Sequence, residues 1–165
     1  MKTRFTILAV AALLTVVTGG AIASAGDNPN FVAVLSGDEE APPVGTHAAG
    51  LAKYQLNKSG DQLSFKLIVA NIDDVTQAHI HCGPAGVNGP VIAFLYGFGP
   101  TVTSNGILSE GSISNANVIV RPDSSACPGG VSDFDDLVAK MESGDAYTNV
   151  HTTAFPGGEI RGQIR

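Results

Sequence analysis

Apolar residues recur at every second position through much of this chain, in short runs broken by glycine, proline and asparagine. That period is the mark of half-buried β-strands, whose successive side chains point to opposite faces. The pattern, together with compact apolar runs at 31–35 and 91–96, predicts strands at residues 31–35, 50–56, 63–69, 77–82 and 91–96, then 106–113, a short strand or edge at 118–120, and final strands at 147–152 and 159–165. In 50–56, Ala52, Tyr54 and Leu56 share one face against Lys53 and Gln55; in 63–69, Leu63, Phe65, Leu67 and Val69 oppose Ser64, Lys66 and Ile68. Residues 57–61 read as a hairpin turn, residues 36–46 as a loop held irregular by Pro42 and Pro43, and residues 83–90 as a Gly/Pro turn. Asp73 and Asp74 fall between strand signals and read as loop. One helix is predicted near residues 132–142. Ser132 is its N-cap, Asp133, Asp135 and Asp136 favour the first turn, Phe134, Leu137, Val138 and Met141 recur at helical spacing, and Gly144 ends it. Strands without βαβ alternation point to an all-β fold, an antiparallel Greek-key-like β-sandwich or barrel with this one short helix.

Composition changes the picture at the N-terminus. The chain has 165 residues, 44% hydrophobic and only 15% charged. Part of that apolarity sits in one segment: Lys2 and Arg4, then an apolar run over residues 5–17, then Ala23-Ser24-Ala25. That order is expected to be a secretory signal peptide, residues 1–25, cleaved to leave a domain at 26–165. Thr15, Thr18, Gly19 and Gly20 interrupt it before the ~20 apolar residues of a stable membrane span. Losing Lys2 and Arg4 takes the formal charge from -6 to -8. So acidic a domain, without a basic cluster, is not expected to bind nucleic acid. The expected location is outside the cytoplasm, periplasmic or extracellular. An even cysteine count there suggests a Cys82–Cys127 disulfide. Free thiols, or a metal-ligand pair with the nearby histidines, are the alternatives.

The candidate chemistry is concentrated in three strands. The pleat puts His79 and His81 on one face, with Ala78, Ile80 and Cys82 on the other. Tyr147, Asn149 and His151 share a face, as do Glu159, Arg161, Gln163 and Arg165. If these strands are neighbours, His79, His81 and His151 can meet at one copper or zinc ion, since imidazole suits both metals. Solvent-facing histidines on an ordinary sheet face are the alternative, because alternation makes an H-x-H pair common. Glu159 and Arg161 form either a surface ion pair or a pair that orients a histidine. The 83–90 loop is neither a Walker A motif nor a dinucleotide fingerprint. The acids Asp38, Glu39, Glu40, Asp73 and Asp74 match no twelve-residue calcium loop and read as surface. No G-x-S-x-G or other nucleophile motif occurs.

Residues 78–95, AHIHCGPAGVNGPVIAFL, and 147–164, YTNVHTTAFPGGEIRGQI, resemble the two signature segments of the chordin-domain (CHRD) family. Residues 32–44, VAVLSGDEEAPPV, are similar to that family's entry strand and proline loop. The likeness spans about residues 31–165 and maps the family's shared positions onto His79, His81, Gly83, Gly86, Gly89, His151, Gly158, Glu159, Arg161 and Gly162. It implies an exported single domain like those of bacterial members; chordin's growth-factor partners do not transfer to a lone domain. A weaker likeness is to copper/zinc superoxide dismutase, which also uses an H-x-H strand pair. With four histidines in all, one of them the distant His47, the chain lacks a dinuclear set, and no dismutase activity is expected. The expected function is a non-catalytic binding or interaction module for a protein or small ligand. Metal binding through the three histidines is the alternative reading, and an enzymatic role ranks behind both.

Overall fold

The computed structural model describes residues 30–97 and 99–165. The expected signal peptide, residues 1–25, lies outside them. The alternating segments form β1 (Asn30–Ser36), β2 (Ala49–Leu56), β3 (Gln62–Cys82), β4 (Val91–Tyr96), β5 (Val102–Ser114), β6 (Ala146–Thr152) and β7 (Ile160–Gln163), with helix α1 (Phe134–Ser143) before β6. Pairing is antiparallel throughout and runs in a ring, β1–β2–β3–β6–β7 and back to β1. Of the two architectures expected, the barrel is formed: five strands close it, and β4 and β5 are added along β3. The seam between β1 and β7 is held by Ser36 opposite Arg161 and by a reciprocal backbone pair between Val32 and Arg165. Among the described residues no helix is long and apolar enough to cross a membrane.

The long strand β3 organises the rest. Its first half pairs with β2 and β5, its second half with β6 and β4. Two predicted strands, 63–69 and 77–82, are thus one, and Asp73–Asp74 belongs to it rather than to a loop. The join is irregular. Asn71 (φ 54°) and Asp74 (φ 48°) enter the left-handed region, which Asn and Asp tolerate better than most residues. The register with β5 shifts on both sides of Ile72. The buried set accordingly changes parity, from Leu63, Leu67 and Val69 to Ala78, Ile80 and Cys82. Without that shift the histidines would fall on the barrel's apolar side.

The remaining departures are local. Strand β5 begins earlier than residue 106, and β7 is shorter than 159–165. Residues 118–120 make no strand: Ile119 N–H bonds the Ile92 carbonyl, Arg121 then bridges Val131, and Val120 is exposed. The helix N-cap is Asp133, whose side chain accepts from Asp136 N–H, and not Ser132. The cap at the other end is Gly144, in the left-handed conformation at φ 77°. A helix this short is marginal by itself. Phe134, Leu137, Val138 and Met141 are buried against the barrel, at about 1.5–3 kcal/mol for each large apolar side chain, and hold it in place. The Cys82–Cys127 disulfide is formed and fully buried. It ties the irregular segment before α1 to the end of β3, and disulfides of this kind belong to oxidising compartments.

Candidate metal centre

The register of three strands builds a grid on the face opposite Ile80 and Cys82. His79 lies across from Asn149, which lies across from Arg161; His81 lies across from Tyr147, which lies across from Gln163; and Gln77 lies across from His151. His151 is thus a diagonal neighbour of His79, at the ~7–8 Å backbone spacing that long aromatic side chains still bridge, and His81 is two residues along the same strand. One nitrogen from each of His79, His81 and His151 lies within 4.8 Å of the others. His79 packs edge-on to Phe94, and His81 stacks flat on Tyr147 at 4.7 Å between centroids.

This is not an open sheet face. His79 and His81 are buried, His151 half-buried, and three loops cover them. The 83–90 turn supplies the Gly89 carbonyl to His81 Nδ1 at 2.9 Å. The turn after β6 supplies the Pro156 carbonyl to His151 Nδ1, also at 2.9 Å. The 37–46 loop reaches in with Glu40, whose Oε1 accepts from Asn149 Nδ2 at 2.7 Å. Gly89 must be glycine, since a Cβ there would sit 1.6 Å from the Cys82 carbonyl oxygen.

These contacts fix the tautomers. Carbonyls only accept, so His81 and His151 carry their protons on Nδ1 and present Nε2 as a lone pair. His151 Nε2 faces His79 Nδ1 at 3.1 Å, so His79 donates there and its own Nε2 bears a lone pair. The buried Nε2 atoms of His79 and His81 have no hydrogen-bond partner among the described residues. A buried acceptor left so costs about 1–3 kcal/mol. Burial, reinforced by the charges of His151 and His81, lowers the His79 pKa to about 3. Burial lowers that of His81 to about 4, helped by His151, Arg161 and Arg121 against the Gly89 hydrogen bond. Burial also lowers that of His151, against the Pro156 hydrogen bond. All three rings are therefore neutral at ordinary pH, the state that ligates metal.

Glu159 and Arg161 do not form the expected pair, at the surface or beside a histidine. Both are buried. Glu159 accepts from the hydroxyls of Thr46 and Thr152. Arg161 donates to Asn88 Oδ1 and to the Pro84 and Val87 carbonyls, with its Cζ 3.4 Å from the centre of the Tyr147 ring. Local i, i+2 spacing suggested a pair, but hydroxyls and carbonyls on other elements compete for both groups. His47 is exposed and outside the cluster. Glu40, read from sequence as a surface acid, is the residue that sequence reasoning missed. Nothing in its polar loop signals burial.

Burial raises the Glu40 pKa from 4.5 to about 7, against the charge of Arg161 and the Ala41 backbone hydrogen bond. The folded carboxyl thus keeps its proton at a pH where the unfolded one has lost it. Its stabilising contribution is complete below about pH 4.5 and is lost as pH rises through 7. Glu40→Gln removes this titration. The variant is expected to match wild type in thermal melts at pH 5 and to exceed it by about 1–3 kcal/mol at pH 8. His79 and His81 act the other way, stabilising above 6.5 and less as pH falls, but they are common to both proteins and cancel in the difference. An unchanged difference across that range would contradict the assignment.

Neither a curated protein nor a solved structure matches the chain at a significant level. The family model for the CHRD domain matches residues 31–164, which hold the barrel, its three covering loops and all three histidines. The chain therefore belongs to the CHRD-domain family.

Proposed function

We propose that this domain is an exported, non-catalytic binding module whose ligand is a single copper or zinc ion held by His79, His81 and His151. The observation that carries the proposal is the pair of buried, partnerless Nε2 lone pairs in a cluster that also contains a third neutral ring. An ion at the cluster would satisfy the two Nε2 atoms left unsatisfied, and His151 would join them by giving up the hydrogen bond its Nε2 accepts from His79. The Gly89 and Pro156 carbonyls orient His81 and His151 as outer partners commonly orient metal-bound imidazoles. Burial against Phe94 and Tyr147 favours retention of the ion over turnover, which needs an accessible open position. Export is supported by the residue 1–25 pattern together with the disulfide.

Metal content and titration calorimetry on the domain from residue 26 test the reading. One ion per chain is expected, with His79→Ala and His151→Ala each weakening binding at least ~100-fold, as loss of one of three ligands requires. Wild-type affinity in both variants would end the proposal. Steady turnover of a small-molecule substrate would end its non-catalytic part.

A further inference from the structure

The ligand set and its surroundings are short of negative charge. Among the described residues no carboxylate or thiolate stands with the three ring nitrogens. Cys82, next to His81, is spent in the disulfide and points to the opposite face. Glu159 is engaged by Thr46 and Thr152, and Glu40 by Asn149. The outer partners of His81 and His151 are neutral carbonyls, which leave the rings as plain imidazoles; a carboxylate would draw them toward imidazolate.

The charged side chains nearest the rings are guanidinium groups, Arg161 being faced in turn by Glu40 and Glu39. Arg161 lies over Tyr147, which stacks on His81, so a guanidinium sits one ring away. Arg121 is held on the Val91 carbonyl, and Val91 is the register partner of His81. Burying an uncompensated ion costs free energy that grows with the square of its charge, and repulsion from two guanidinium groups doubles for a dication. Coordination number points the same way. Zinc in a closed protein site takes four ligands. Three ring nitrogens converge here, and Tyr147 Oη, a hydroxyl on the ring stack, is tied to Gly89.

Resting on the metal-binding reading above, we infer that the site selects monovalent copper over divalent zinc and divalent copper. Anaerobic competition titrations against chromogenic chelators test it, with Cu+, Cu2+ and Zn2+ added separately and no thiol present, so that the disulfide stays intact. Cu+ is expected at one per chain, at least ~10³-fold tighter than Zn2+ and at least tenfold tighter than Cu2+. Arg121→Gln keeps a donor for the Val91 carbonyl while removing the charge. It should narrow the Cu+/Zn2+ ratio about tenfold at unchanged melting temperature. Zn2+ or Cu2+ bound as tightly as Cu+ would overturn the selectivity and leave the metal reading standing, as would a ratio indifferent to Arg121. If none of the three ions binds, the metal reading itself fails and the selectivity goes with it.

Discussion

The double variant Cys82→Ala/Cys127→Ala is expected to lose about 4 kcal/mol of stability, because the bridge closes a loop across a sequence separation of 45. At this domain size that is a fall of roughly 10–15 °C in Tm. The size of the effect follows from what else holds the bridged segment. Between β5 and α1 the chain makes no strand. It is attached to β4 by the Ile119–Ile92 hydrogen bond and the Arg121 side chain on the Val91 carbonyl, and to α1 by Lys140 on the Pro128 carbonyl; the Arg121–Val131 bridge and the Ser124–Cys127 turn are internal to it. Cutting the link also frees the unfolded chain, so the denaturant m-value should rise as more surface is exposed on unfolding. The histidines should be spared, because His79 and His81 are fixed by the β3–β6 ladder and the 83–90 turn. Metal affinity within tenfold of wild type is the expected companion result. Reduction of the wild-type protein should add the mass of two protons. A variant melting within a few degrees of wild type would show that the segment is held by its other contacts.

What could be read in advance had a period of two. The alternation that marks β2 and β6 also places His79 and His81 on one face and Ile80 and Cys82 on the other, while β1 shows as a compact apolar run. A pleat has no other option. The neighbours of each strand were legible only on the condition that the histidine strands were adjacent. The pairing of β3 with β6 supplies that condition. Features with no local period were read wrongly. Asp73 and Asp74 carry the composition of a turn, yet they occupy an irregular join inside one strand. Val118, Ile119 and Val120 have strand composition, but that segment makes no ladder and forms a single backbone bond to Ile92 through Ile119. Glu40 is buried because a loop folds over a distant strand, and the residues beside it in sequence carry no trace of that contact. Burial of both sheet faces, which turns an ordinary H-x-H pair into a desolvated cluster, is likewise a property of three converging loops.

Arg161→Met should be the most damaging single substitution at the covered face, at about 3–5 kcal/mol. The side chain is 1% exposed and is the largest fully buried one among the described residues. Its two terminal nitrogens serve three acceptors at once, Asn88 Oδ1 at 3.2 Å and the Pro84 and Val87 carbonyls at 3.1 and 3.0 Å, while its plane covers Tyr147. Methionine fills much of the space but leaves those acceptors without a donor. Hydrogen bonds to a charged group are worth about 1.5–3 kcal/mol each, and relief of the guanidinium's own desolvation returns only part of the loss. Arg161→Lys should recover less than half, because an ammonium gathers its three donors on one nitrogen, cannot span acceptors served by two separate guanidinium nitrogens, and cannot lie flat on a ring. The substitution also has a local signature. The loop that Arg161 holds is the one that presents the Gly89 carbonyl to His81. Nitrogen NMR of the imidazoles should therefore show His81 losing its single Nδ1–H tautomer, while His151, held by Pro156, keeps its own. If Arg161→Lys proved as stable as wild type with His81 unchanged, charge alone would be what the loop requires, and the forked geometry would have no part in holding the site.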